Sequence, residues 1–107
     1  MLNIKAIKAV QRAKWKTVYV ADWGGEILLR PLGVADFIEL QKLPRGNDSE
    51  NLAYIRRVVQ ACVVDENGQP LFVGDGEEVL NQTSRTVLAE LVTECLEVSG
   101  VAKKNES

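Results

Sequence analysis

The sequence contains no histidine among its 107 residues, and this absence excludes more chemistry than any other single feature. Ser–His and Cys–His nucleophile pairs go with it, as do imidazole zinc ligands and any side chain that titrates near neutral pH without perturbation. The chain also lacks a P-loop, a G-x-G-x-x-G turn and a C-x-x-C pair, so nucleotide, dinucleotide and ribbon-type metal sites have no motif here. No apolar run approaches the ~18 to 20 residues that a bilayer span needs, and no apolar block precedes a small-residue cleavage site. A cytoplasmic protein without membrane contact is expected. Cysteine is sparse: Cys62 and Cys95 both fall inside apolar helical patterns, where buried thiols are expected rather than a disulfide. No catalytic residue, no metal ligand and no cofactor are expected, and the chain is read as a non-enzyme.

What is present is a composition of 46% hydrophobic and 26% charged residues, enough for one domain with a modest core. The charge is unevenly placed. Residues 1 to 16 carry Lys5, Lys8, Arg12, Lys14 and Lys16 with no acid, or +5. Of the 13 basic and 15 acidic side chains in the whole chain, 8 and 15 remain for the rest, or −7. Such a basic start can be a solvated helix, a nucleic-acid arm, a targeting presequence or a surface that pairs with an acidic one. The acidic remainder would repel a phosphate backbone and no aromatic platform is interleaved with the cations, so no nucleic-acid partner is expected.

The expected fold is α+β, mostly α-helical, with an N-terminal β-hairpin. Residues 1–100 form one domain, divided into a basic helix over 1–15, a hairpin over 16–32 and a helical part over 33–100, followed by a flexible tail at 101–107. In the first helix Asn3 is a candidate cap and Ile4, Ile7 and Val10 recur at three-residue spacing. Between two β-rich runs, Gly24-Gly25 can supply the positive φ angles of a two-residue hairpin turn. Closure there pairs Val20 with Leu29 and Tyr19 with Arg30, and puts Val20, Ile27 and Leu29 on the core face. Pro31 ends the second strand and a helix follows from about Val34 to Leu43. A polar loop over 44–50 then leads to a helix capped by Asp48 or Ser49, with Leu52, Ile55, Val59, Cys62 and Val63 as its stripe. An Asn67-Gly68 turn comes next, then a short helix boxed by Asp75 and Glu78, then a last helix capped by Thr83 or Ser84. Its buried stripe includes Leu91, Val92, Cys95 and Leu96, while Glu90, Glu94 and Glu97 line an acidic edge.

The stretch Ala21-Asp22-Trp23-Gly24-Gly25-Glu26 runs on through Arg30-Pro31-Leu32 into an acidic-aromatic helix, and a central helix then leads into Asp65-Glu66-Asn67-Gly68-Gln69-Pro70-Leu71-Phe72. Together, over roughly residues 3 to 100, these motifs resemble the tail assembly chaperones of long-tailed phages and prophages. The resemblance implies a protein that self-associates, coats the tape measure protein and helps recruit tail tube subunits, and that is absent from the finished virion. It also implies a longer product made by a translational frameshift, and Lys103-Lys104-Asn105 can be encoded by an A-rich run on which ribosomes slip. Within this reading the basic helix (Lys5, Lys8, Arg12) of one copy is expected to meet the Glu90, Glu94 and Glu97 edge of the next, head to tail. The alternative is a small α+β protein–protein interaction adaptor unrelated to tails.

Overall fold

The computed structural model describes residues 1–101. The expected tail from 102 onward, with its Lys103-Lys104-Asn105 run, lies outside the described residues. Helix α1 (Ile4–Ala13) opens with Asn3, whose side chain accepts from the Ala6 N–H at 2.8 Å. Strand β1 (Lys16–Val20) and strand β2 (Gly25–Leu29) then form the hairpin, and helices α2 (Val34–Gln41) and α3 (Asp48–Cys62) follow. A two-residue strand β3 (Val63–Val64), a short helix α4 (Gly76–Asn81) and helix α5 (Arg85–Val98) complete the order. The protein is α+β and mostly helical, with an antiparallel sheet of order β1-β2-β3.

The hairpin exists, but its register differs from the expected one. Val20 pairs with Gly25 and Lys16 with Leu29, a displacement of four residues. Ala21–Trp23 form a 3-10 turn, Gly24 alone takes the left-handed conformation at φ 68°, and Gly25 already belongs to β2. The longer loop has a physical cause. A two-residue turn would keep Trp23 in the ladder, whereas the 3-10 turn lets its indole pack on Phe72, with ring centroids 5.6 Å apart. Four is an even number of pleats, so the faces survive the shift. Val20 and Leu29 are buried, with Val18 and Ile27 packed beside them. The expected Tyr19–Arg30 contact is lost, because Tyr19 now faces Glu26 and Arg30 turns to Asp36.

Helix α3 packs on α5, and the hairpin's inner face closes over both. Val58, Val59, Cys62, Leu80, Leu91 and Cys95 join Leu29 in the core. Burying a Leu or Val side chain contributes roughly 1.5 to 3 kcal/mol, so these few positions dominate the stability. Asn47, not Asp48 or Ser49, caps α3, accepting from the Glu50 N–H at 2.9 Å. The helix ends at Cys62 rather than carrying its stripe on through Val63: Val63 and Val64, two β-branched residues in succession, pair with Leu29 and Leu28. The Asn67-Gly68 turn forms as expected, with the Asp65 carboxylate accepting from the N–H groups of Asn67 and Gln69. Ser84 caps α5, but Asp75 makes no side-chain cap bond to α4. The Asp75 backbone is already helical, which turns its carboxylate away from the N–H groups that a cap would receive.

Both cysteines are buried free thiols. Cys62 donates to the Arg30 carbonyl at 3.1 Å, and its contact with Cys95, reinforced by burial, pushes the Cys95 thiol well above its ordinary range.

Candidate interaction surface

Helix α1 buries none of its residues. At 100° per residue, Ile4, Ile7 and Val10 fall on one side while Lys5, Lys8 and Arg12 fall on another. The apolar side is open to solvent: Leu2 is 72% exposed, Ile4 68%, Val10 56% and Ile7 38%. The helix is anchored at its end instead. Trp15 is half-buried and receives the Arg12 guanidinium over its ring at 4.1 Å, a cation–π contact. The same indole lies against the Asn67-Gly68 turn: a Cβ on Gly68, whose φ is +84°, would sit 3.1 Å from Trp15 Cη2. Lys8, Arg12 and Lys14 then line one side of a pocket whose other side is Arg30 to Gly33.

The acidic edge of α5 is in place, with Glu90 and Glu97 exposed and Glu94 half-buried. Its nearest cation comes from the same chain. Lys16 at the start of β1 reaches Glu94 at 2.9 Å, and that hydrogen bond, the charge of Glu94 and the more distant Glu97 raise its pKa. Lys16 was legible as a cation in the basic segment, but its pairing depends on where β1 crosses α5, which no local pattern reveals. Lys5, Lys8 and Glu90 take part in no salt bridge among the described residues.

Between β1 and α5 runs a groove of about 430 Å³. Val18, Val20, Val87 and Leu91 give it an apolar floor, and Asp22, Glu90 and Glu94 an acidic rim. Among the described residues no helix is long and apolar enough to cross a membrane, and no group of three or more acidic or cysteine side chains could hold a metal ion.

A fold of this kind also occurs in a solved structure. The chain superposes on the tail assembly chaperone of bacteriophage HK97 with a TM-score of 0.64, covering 92% of this chain and 98% of that one at 24% identity. This protein has the tail assembly chaperone fold. No protein-family model matches the sequence, and no curated protein matches it.

Proposed function

We propose that this protein is a tail assembly chaperone of a long-tailed phage or prophage. It acts in the host cytoplasm, binds without catalysis, self-associates, coats the tape measure protein and helps recruit tail tube subunits. The observation that carries this reading is the end-to-end likeness to the HK97 tail assembly chaperone. The chain's own chemistry agrees with a binding role: it has no histidine, and its open features are an apolar helix face and an acid-rimmed groove. The six charged residues Lys5, Lys8, Arg12, Glu90, Glu94 and Glu97 are assigned to protein contacts, with Lys16 already occupying one side of Glu94.

The test is co-purification. The affinity-tagged chain is expressed from its native locus, recovered at low salt, and everything that co-elutes is identified by intact mass spectrometry. Recovery of a long helical protein encoded nearby supports the chaperone reading. Recovery of this chain alone, or with a partner unrelated to tails, removes it in favour of a general interaction adaptor.

A further inference from the structure

We propose that the apolar stripe of α1 in one copy of this chain docks into the β1–α5 groove of a second copy. The inference rests on the self-association in the reading above, and adds which surfaces meet.

Three observations carry it. First, the stripe has no partner within the chain: Ile4, Ile7 and Val10 are exposed on a helix that buries nothing. Amphipathic helices ordinarily bury such a face, and a ten-residue helix is marginal in water on propensity alone, so docking would stabilise it as well as cover it. Second, the groove matches the helix in charge. Helix α1 bears three cations, Lys5, Lys8 and Arg12, and no acid, while Asp22, Glu90 and Glu94 rim an apolar floor. Lys8 stands beside the stripe, and its long stem can lie along apolar surface while the ammonium meets a carboxylate. The rim already accepts an ammonium in this way, at Lys16–Glu94. Third, stripe and groove share no residue, so each molecule offers both at once. A contact between two different patches is heterologous and propagates into a ring or an open spiral. The second copy is therefore favoured over an unrelated helix as the occupant, because one chain carries both halves of the match.

The test uses two blocked versions of the full chain, followed by sedimentation velocity over a range of concentrations. Ile7→Glu with Val10→Glu blocks the stripe and keeps good helix formers in α1. Glu90→Lys with Thr93→Arg blocks the groove at two exposed positions. Circular dichroism and thermal melting confirm that both fold. The expected result is that the unaltered chain assembles with concentration, and that each blocked chain stays monomeric at concentrations at least about tenfold higher. Mixed, the two blocked chains form a 1:1 dimer and nothing larger, because one intact stripe meets one intact groove. The model is overturned if the stripe-blocked chain assembles like the original, if the mixture stays monomeric, or if the unaltered chain never assembles. A stripe-blocked chain that assembles normally and still co-purifies with the long helical protein would sink the docking while leaving the chaperone reading intact. If instead the long helical protein competes for the groove and no self-assembly occurs, the occupant is that helix and the proposal fails.

Discussion

Asp36 ties the end of β2 to the start of α2. Its two carboxylate oxygens each lie 3.1 Å from an Arg30 guanidinium nitrogen, and it accepts from the Gly33 N–H at 2.8 Å. Burial works to raise its pKa, but the Arg30 hydrogen bond, the Gly33 N–H and the charges of Arg30 and Arg57 outweigh burial and hold it below the ordinary aspartate value. A carboxyl depressed in the folded state stabilises the fold above its unfolded pKa of ~3.9, and that contribution is lost as pH falls through the lower folded value. Asp36→Asn should therefore cost about 1 to 2 kcal/mol at pH 7, as expected for a bidentate charge-assisted pair. Urea unfolding at several pH values should show the gap to the original protein closing below about pH 4. Gly68 provides a second test. Its φ of +84° and the 3.1 Å approach of Trp15 leave little room for a side chain, so Gly68→Ala should destabilise by about 1 to 3 kcal/mol and lower the melting temperature by several degrees. An unchanged melting curve would mean that the turn relaxes freely and Trp15 is not held there.

Secondary elements differ in how far local pattern specified them. Alternation placed Val20, Ile27 and Leu29 on the core face, and this survived a four-residue change of register because only an odd shift would have turned the strand over. The register itself was not legible, since it follows from a tryptophan finding Phe72 far along the chain. Strand β3 was hidden for a similar reason: Val63 and Val64 continue the helical stripe of α3 in sequence, and only the open edge of β2 draws them into extended backbone. The long helices α3 and α5 were legible because their periodic faces and caps agree. The contrast between elements yields a third prediction. Ile7→Glu with Val10→Glu should alter the unfolding free energy of the monomer by no more than about 0.5 kcal/mol, since neither side chain is buried. Leu29→Ala, at a fully buried position, should cost about 2 to 5 kcal/mol in the same urea titration. Equal losses in the two variants would show that α1 is part of the cooperative core.

On the scale of the whole molecule, the candidate surface was half legible. Composition revealed a chain with +5 in its first 16 residues and −7 in the remainder, and helical spacing revealed both charged edges. It could not reveal that Lys16 folds back onto Glu94, nor that β1 and α5 enclose an apolar groove beneath the acids, because both depend on tertiary crossing. That groove changes what salt should do. A contact built from exposed charges alone would weaken steeply as the Debye length shrinks from ~10 Å at 0.1 M to ~3 Å at 1 M, each pair being worth only about 0 to 1 kcal/mol. A contact with an apolar stripe at its centre should keep part of its affinity at high salt, with charge setting orientation and encounter rate. Assembly followed by sedimentation from low to high salt should therefore weaken and then level off above the monomer baseline. Lys5→Glu, Lys8→Glu and Arg12→Glu together should invert the salt dependence: assembly is weakest at low salt, where Glu90 repels the reversed helix, and rises toward the apolar plateau as salt screens that repulsion. Restoring the match by reversing Glu90 and Glu94 to lysine in a second chain should recover assembly only in the mixture. Recovery in neither chain nor mixture would mean that these charges do not face one another, whatever the apolar surfaces do.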